Sequence, residues 1–278
     1  PKATPGPTPP PVISGPTLVG AGDIASCASD GDEATAALLD AIEGTVFTTG
    51  DNAYDSGTTS EFANCYDPGW GRHRSRTRPS PGNHDYKTAG AAAYFDYFGE
   101  RAGDPATGYY AYDLGSWRIY ALNSNCAAIG GCDAGSAQEQ WLRADLAAHP
   151  TACVLAYWHH PLFSSGEHGN NPVVRPLFRA LHDAGAEIVL TGHDHTYERF
   201  APQAPNGDAD SVGGVVEFVV GTGGKSHYGF PTVRPNSLVR NGNTYGVLTL
   251  TLGDGAYAFE FVPVAGKSFS DAGSGVCH

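Results

Sequence analysis

Short apolar runs recur along this chain, each bounded by polar or glycine residues, and more polar segments separate them. Apolar runs of about four to eight residues with such boundaries predict buried strands. The clearest runs cover residues 17–22, 45–49, 153–158 and 187–190. An aspartate or a histidine follows each run within three residues, so the predicted strands share a polar end.

Between these runs lie segments with the spacing or composition of helices. Residues 32–43 place Leu38, Leu39 and Ile42 on one side, and residues 136–148 are helical by composition. Residues 173–184 also predict a helix, with Pro176 in its first turn, where a missing N–H is tolerated. Strands that alternate with helices in this way predict an α/β fold.

The last third of the chain changes to strands joined by tight turns. Residues 214–220, 246–252 and 256–264 each predict a strand. The sequence Gly253-Asp254-Gly255 joins the last two, and this composition is typical of a hairpin turn. We therefore expect antiparallel strands at the C-terminal end of the α/β domain.

One catalytic domain is predicted over residues 17–278, after a Pro-rich linker or tail over residues 1–16. That first segment contains seven prolines, which favour an extended, semi-rigid chain. Hydrophobic residues make up 41% of the sequence, enough for a buried core. No stretch reaches the roughly 18 apolar residues that a membrane-spanning helix needs.

The six cysteines are an even number without a Cys-x-x-Cys pair, which favours disulfides over structural zinc. Their connectivity is not fixed by the sequence, although a six-residue spacing suits a small closed loop. The pairing we expect is Cys27 with Cys65, Cys126 with Cys132, and Cys153 with Cys277. Disulfides predict a secreted or extracellular protein, with the Pro-rich segment as a candidate surface tether. Free buried thiols in a cytosolic enzyme are the alternative.

The formal charge is −13, from 29 acidic and 16 basic residues. Such an acidic surface repels the phosphates of nucleic acids and of anionic membranes, so we expect neither as a docking partner. A small phosphorylated substrate is compatible with this charge, because bound metal ions make a pocket locally positive.

Polar side chains stand at the carboxyl ends of several predicted strands or after glycine-bounded turns. Residues at this edge of an α/β sheet converge on a ligand. They are Asp23, Asp51, Asn83, His159 and His193. Carboxylate and amide oxygens together with imidazole nitrogens are metal ligands, and one carboxylate can bridge two ions. The sequence therefore predicts a metal site.

Five motifs carry a family resemblance over residues 22–199. In chain order they are Gly22-Asp23, Gly50-Asp51-Asn52-Ala53-Tyr54, Gly82-Asn83-His84-Asp85, His159-His160-Pro161 and Gly192-His193-Asp194-His195. This set resembles the calcineurin-like metallophosphoesterases, and more narrowly their purple acid phosphatase-like branch in its bacterial, single-domain form. The resemblance implies a β-sandwich of two mixed sheets flanked by helices. We expect a monomer, because 16 Pro-rich residues cannot form the extra β-sandwich of the larger plant enzymes.

One departure from the broader family narrows the resemblance. Many relatives begin with Asp-x-His, whereas this chain has Asp23-Ile24-Ala25, and Ala25 cannot bind a metal. The purple branch loses that histidine and gains a tyrosinate ligand, here Tyr54. A phenolate is a hard anionic donor, so the resemblance implies a trivalent ion beside it.

Two metal ions with one shared ligand are implied. Fe(III) would bind Asp23, Asp51, Tyr54 and His195. A divalent ion (Zn, Fe or Mn) would bind Asp51, Asn83, His159 and His193. The family's histidine ligand lies two residues before the proline of its motif, which selects His159 and leaves His160 for packing or for substrate.

The implied reaction is hydrolysis of phosphate monoesters by a metal-bound hydroxide. His84, next to Asn83, and His168, on a glycine-rich loop, are the candidate proton donors to the leaving group. A solvated loop histidine is the alternative for His168. His227 is a candidate pocket residue, although the glycine-rich run before it lacks the spacing of a P-loop.

Two other functions stay open at this point. The same metals could hydrolyse nucleotide or lipid phosphodiesters, and the histidine positions do not settle that choice. A surface binding module that keeps the fold without activity is the third reading, and a complete ligand set argues against it.

Overall fold

Two β-sheets pack face to face in this protein, and helices cover the outer face of each sheet. The computed structural model describes residues 13–150 and 153–278. Most of the predicted Pro-rich segment, residues 1–12, lies outside this range. Residues 13–16 already contact the domain, because the Pro16 carbonyl accepts a hydrogen bond from the Leu252 N–H at 3.0 Å.

The strands of the described residues are numbered in chain order. They are β1 (Thr17–Ala21), β2 (Thr45–Thr49), β3 (Thr77–Ser80), β4 (Tyr110–Leu114), β5 (Trp117–Ala121), β6 (Cys153–Tyr157), β7 (Ile188–Thr191), β8 (Tyr197–Phe200), β9 (Val216–Val220), β10 (Ser237–Asn241), β11 (Gly246–Gly253), β12 (Ala256–Pro263) and β13 (Ala272–Val276). The first sheet has the order β13-β12-β11-β1-β2-β3, and the second has the order β10-β8-β9-β7-β6-β5-β4.

Both sheets are mixed. In the first, β1, β2 and β3 are parallel, whereas β11, β12 and β13 are antiparallel. In the second, β5, β6, β7 and β9 are parallel, and β4, β8 and β10 pair antiparallel at the two edges. The parallel strands matter for function, because their carboxyl ends point to the same edge of each sheet.

Helices and apolar clusters define four layers. The helices are α1 (Gly31–Ala41), α2 (Thr59–Glu61), α3 (Ala92–Phe98), α4 (Ala137–Ala148) and α5 (Arg175–Asp183). Leu155 of β6 joins Phe47 and Leu250 in the cluster between the sheets, whereas its neighbour Val154 joins α4 and α5 on the outer face. The outer face of the first sheet packs against α1 and α3. This architecture confirms the predicted fold class.

Three disulfides link the described segments with the expected pairing. Cys27 bonds to Cys65, Cys126 to Cys132, and Cys153 to Cys277. The last pair ties the C-terminal end of the chain to β6 across 124 positions of sequence, so it constrains the unfolded chain most. None of the helices in residues 13–150 and 153–278 is both long and apolar enough to cross a bilayer.

Element boundaries differ from the predictions where backbone chemistry intervenes. The helix predicted from residue 173 begins as α5 at Arg175, after a short 3₁₀ turn over Pro172–Val174, and Pro176 does lie in its first turn. The short strand β3 was not predicted, since it is polar and contains Pro79. An edge strand tolerates proline because its outer N–H groups have no ladder partner to lose.

Candidate metal centre

The carboxyl ends of five strands meet at one edge of the sandwich. Asp23, Asp51 and Asn83 follow β1, β2 and β3 of the first sheet, and His159 and His193 follow β6 and β7 of the second. Direct contacts join the two groups. The His193 N–H donates to Asp23 Oδ2 at 2.8 Å, and His159 Nε2 lies 2.9 Å from Asn83 Oδ1. The structure therefore brings all five predicted strand-end residues together.

Backbone conformation at these positions is unusual. Asp23, Asp51 and His193 have positive φ angles of 60°, 52° and 69°. Residues other than glycine rarely adopt this region, at a cost on the order of 1 kcal/mol or more. Gly82 has a related role, since a Cβ there would lie 2.1 Å from Asp51 Oδ1. These strained backbone conformations and the close approach at Gly82 direct the side chains toward one point.

Oxygen donors from the first sheet form one cluster. The Tyr54 hydroxyl lies 2.8 Å from Asp23 Oδ1, 2.9 Å from Asp51 Oδ2 and 3.2 Å from His195 Nε2. A phenol carries one proton, so it cannot donate to both carboxylates at once. All four side chains are buried. Lone pairs therefore outnumber protons around this point, as they do around a cation site.

Nitrogen donors from the second sheet form the adjoining cluster. His159 Nε2 lies 3.1 Å from His193 Nδ1 and 3.4 Å from Asp51 Oδ2. Its other nitrogen, Nδ1, lies 2.8 Å from the Thr49 carbonyl. Because that carbonyl can only accept, Nδ1 carries the proton in this contact, and Nε2 turns toward the cluster. An outer carbonyl that fixes the tautomer in this way is typical of metal-binding histidines.

The charge of Asp51 in the oxygen cluster acts on His159 in the nitrogen cluster. Burial alone lowers the pKa of an imidazole, yet the charge of Asp51 raises the pKa of His159 to about 9. Burial and the charge of His159 lower the pKa of His193, and they lower the pKa of His160 to about 3. The neutral imidazoles keep lone pairs for a ligand. Metal binding here would release the His159 proton, as ligation generally does.

The donor set fits a metal centre of mixed hard and borderline character. Asp23, Asp51 and His159 have donor atoms within 4.8 Å of one another, and so have His159, His160 and His193. Carboxylate and phenol oxygens suit a hard cation, and imidazole suits Zn or Fe. His160 lies beside this cluster, and its Nδ1 is 2.8 Å from Ser124 Oγ.

The family model for calcineurin-like phosphoesterases matches residues 17–197. That span includes all seven predicted metal ligands. The chain belongs to this family. The predicted superfamily and its class, the metal-dependent phosphoesterases, are thereby confirmed.

Curated relatives of this phosphoesterase support the predicted branch. It is 29% identical to purple acid phosphatase 18 of Arabidopsis thaliana over 131 residues. This alignment covers 45% of this chain and 29% of the relative. Purple acid phosphatase 22 of the same plant is 32% identical over 122 residues, or 42% and 27% of the two chains. The matched part of this chain therefore spans less than a third of each curated relative's length. Both relatives are purple acid phosphatases, which supports the predicted branch of the family.

Solved structures share the fold of this phosphoesterase. Purple acid phosphatase PPD1 from yellow lupin (Lupinus luteus) matches with a TM-score of 0.73 and 18% identity, covering 94% of this chain and 54% of that one. GAP50, the anchor in the inner membrane complex of Plasmodium, matches with a TM-score of 0.71 and 12% identity, covering 93% and 88%. Because a phosphatase and an anchor share this fold, the side chains of the centre must carry the functional argument.

His84 lies at the rim of the phosphoesterase centre. Its ring centroid is 4.5 Å from that of Tyr54, and its Nε2 is 3.9 Å from Asp51 Oδ2. The backbone N–H of His84 also donates to Asp51 Oδ1 at 2.7 Å. Its Nδ1 faces the Asp55 carbonyl at 2.6 Å, so Nε2 is the nitrogen turned toward the centre.

His168 is an exposed residue on a largely buried loop, and it lies beside His193. Its ring stacks on His193 with centroids 4.2 Å apart. The buried Asp194 carboxylate holds this loop, accepting the N–H groups of His168 and Gly169 and the hydroxyl of Ser164. Two further buried carboxylates, Glu198 and Glu217, accept N–H groups from the same segment. The loop is therefore fixed from below.

The segment after β9 adds contacts that the sequence reasoning missed. Tyr228 stacks on His195 with centroids 4.0 Å apart and planes 8° apart, and Ser226 Oγ is 2.6 Å from His195 Nδ1. Lys225 Nζ lies 4.8 Å from the centroid of the Tyr54 ring. His227, the predicted pocket residue, stacks on Tyr245 with ring centroids 3.9 Å apart. A signal existed, because this segment follows the strand next to β7 and so reaches the same sheet edge.

Proposed function

We propose that this phosphoesterase hydrolyses phosphate monoesters with two metal ions held between its sheets. The position of Asp51 carries the proposal. One of its carboxylate oxygens, Oδ2, lies 2.9 Å from the Tyr54 hydroxyl in one donor cluster and 3.4 Å from His159 Nε2 in the other. A carboxylate between two donor clusters is suited to bridge two ions, an arrangement that many phosphate-transferring sites share.

The two clusters support the two ligand sets that the family resemblance implies. Asp23, Asp51, Tyr54 and His195 would hold Fe(III), and Asp51, Asn83, His159 and His193 would hold a divalent ion such as Zn, Fe or Mn. Burial and the charges of Asp23 and Asp51 raise the pKa of Tyr54 well above its usual value in the metal-free site. A phenolate is a hard anionic donor, which supports a trivalent ion beside it. When bound, the two ions would polarise the phosphoryl group and lower the pKa of a coordinated water.

His84 is the proposed proton donor to the leaving group. Its Nδ1 contacts the Asp55 carbonyl at 2.6 Å and Lys87 Nζ at 2.9 Å, and its Nε2 lies on the side of the centre, 3.9 Å from Asp51 Oδ2. The side chain is 24% exposed, so an ester bound at the centre could reach it. His168 is the second candidate, stacked on His193. A positioned acid typically contributes about 10²- to 10⁴-fold to such reactions.

The monoester preference rests on similarity to the purple acid phosphatases, and the proposed compartment rests on the disulfides. Three disulfides are typical of an oxidising environment, which supports a secreted or extracellular location.

Metal analysis with paired substrates tests the proposal. Protein purified without added metal should contain iron and a second metal, with visible absorption from a tyrosinate bound to iron. It should hydrolyse p-nitrophenyl phosphate faster than bis-p-nitrophenyl phosphate. A preference for the diester would show that the protein is a phosphodiesterase and would overturn the proposed monoesterase activity. Full metal content without hydrolysis of either substrate would indicate a binding module.

Two alanine variants separate the candidate acids. His84→Ala should slow hydrolysis of an alkyl phosphate by about a hundredfold, and that of p-nitrophenyl phosphate much less, because nitrophenolate leaves without a proton. His168→Ala is measured beside it at equal metal content. Equal losses on both substrates would show that the altered histidine acts in binding, and unchanged turnover would remove it from the mechanism.

A further inference from the structure

A cleft of about 370 Å³ opens next to the nitrogen-donor cluster. Its lining includes Asn83 and His160 together with Ala127, Ala128 and Val173. Asn83 Oδ1 is 2.9 Å from His159 Nε2, and the His160 ring centroid is 4.5 Å from that of His193. The cleft is therefore continuous with the centre.

Its lining carries no Asp, Glu, Lys or Arg among the described residues. The absence of these charged residues stands out in a chain of net charge −13. Charged side chains lie instead around His84, where Lys87 Nζ is 2.9 Å from His84 Nδ1 and Lys225 pairs with Asp55 at 2.6 Å.

The walls of the cleft are held in place. Ser124 Oγ accepts the His160 N–H at 2.9 Å and lies 2.8 Å from its Nδ1, so the ring has a fixed position. Asn125 Nδ2 donates to the Pro81 carbonyl at 3.1 Å, which ties this wall to the Asn83 segment. The Cys126–Cys132 disulfide closes the loop that carries the two alanines.

We propose that this cleft binds the alcohol portion of the ester, and that preferred substrates are phosphate monoesters of uncharged aromatic or apolar alcohols. The inference rests on the proposed function, because the phosphoryl group would be held at the donor clusters beside Asn83. A cavity of about 150 Å³ accommodates benzene, so the cleft has room for one or two rings. A charged alcohol would lose water there without gaining an ionic partner.

Phosphonates that cannot be hydrolysed test this inference without turnover. Binding of phenylphosphonate and methylphosphonate to the metal-loaded protein is measured by titration calorimetry. We expect phenylphosphonate to bind about tenfold more tightly or better, since the ring leaves water for an apolar wall. Equal affinities would overturn the proposal.

A pair of valine substitutions locates the effect. Val173→Asn removes apolar surface from the cleft at a side chain that is 50% exposed, so we expect little loss of packing. Val212→Asn makes the same change at an 83% exposed valine near the amino-terminal end of β9. Val173→Asn should lose most of the preference for the phenyl group and leave methylphosphonate binding unchanged, while Val212→Asn behaves as wild type. A preference that survives in Val173→Asn would contradict the assignment.

Failure of this inference and failure of the proposed function give different results. If the protein prefers the phenyl ligand but hydrolyses no phosphoester, the cleft proposal is supported and the proposed enzymatic function is refuted. Hydrolysis of p-nitrophenyl phosphate by a protein without the preference would retain the enzyme and reject the cleft.

Discussion

The two sheets contribute different chemistry to one centre. Segments after the first sheet supply oxygen donors, namely Asp23, Asp51, Tyr54 and Asn83. Segments of the second sheet supply nitrogen donors, namely His159, His193 and His195. The first group offers hard oxygen donors, two of them carboxylates, whereas the second offers borderline imidazole nitrogens. This mixed donor set supports the pair of unlike metals proposed above.

In each sheet a buried carboxylate accepts backbone N–H groups next to the metal-binding residues. In the first, the buried Asp85 carboxylate accepts the N–H groups of Gly82 and Asn52 beside the ligands. In the second, buried Glu217 accepts the N–H groups of Leu162 and Phe163, just after the histidine pair. A buried carboxylate that satisfies backbone donors fixes a loop which would otherwise need water.

The largest effect is expected where the two halves meet. Asp51→Asn keeps the shape but removes the charge that faces Tyr54, His159 and the N–H of His84. Both metals should be lost or weakened together, and activity should fall by at least about a hundredfold, since even outer-sphere partners of ligands cost ten- to a hundredfold. Elemental analysis and turnover of p-nitrophenyl phosphate measure this.

Asp254→Asn, in the exposed turn between β11 and β12, is the matched control and should behave as wild type. If Asp51→Asn kept one metal at full occupancy, Asp51 would belong to a single half of the centre.

An intermediate effect is expected within the oxygen half. Tyr54→Phe retains the ring but removes the hydroxyl that contacts both carboxylates. Iron content and visible absorption should disappear while the divalent metal remains, and activity should fall by about ten- to a hundredfold. Tyr228→Phe keeps the stacking on His195 and serves as control. Unchanged colour in Tyr54→Phe would refute a tyrosinate ligand.

The smallest effect on the metal centre is expected from a change at Glu217, which supports the loop after His159 and His160. Burial raises the pKa of Glu217 to about 8 from an ordinary value near 4.5. Between these values the native state keeps a proton that the unfolded chain has released, so stability falls as pH rises from about 4.5 to about 8. Glu217→Gln removes this titration and should leave metal content unchanged.

Urea unfolding between pH 5 and pH 8 measures the difference. The free energy of unfolding of the wild type, relative to Glu217→Gln, should fall by up to about 1.4 kcal/mol per pH unit. Glu260→Gln, an exposed change on β12, should follow the wild type. Parallel curves for the wild type and Glu217→Gln would show that Glu217 is ionised in the native state throughout.

Local sequence patterns determined much of this protein. Apolar runs ending at Asp23, Asp51, His159 and His193 predicted β1, β2, β6 and β7, because burial on both faces leaves a readable signal. The Gly253-Asp254-Gly255 turn predicted the β11–β12 hairpin, which the register confirms. The motifs also predicted the family, since residue type and order are written directly in the chain.

Tertiary structure alone decided how these pieces meet. The contacts of Tyr228 and Ser226 with His195, the loop held by Asp194, and the neutral cleft beside His160 all join segments distant in sequence. Periodicity reports which face of an element is buried, and it does not report which distant segment covers that face. Packing of the two sheets set those partners, and with them the surroundings of a metal centre whose ligands the sequence had already suggested.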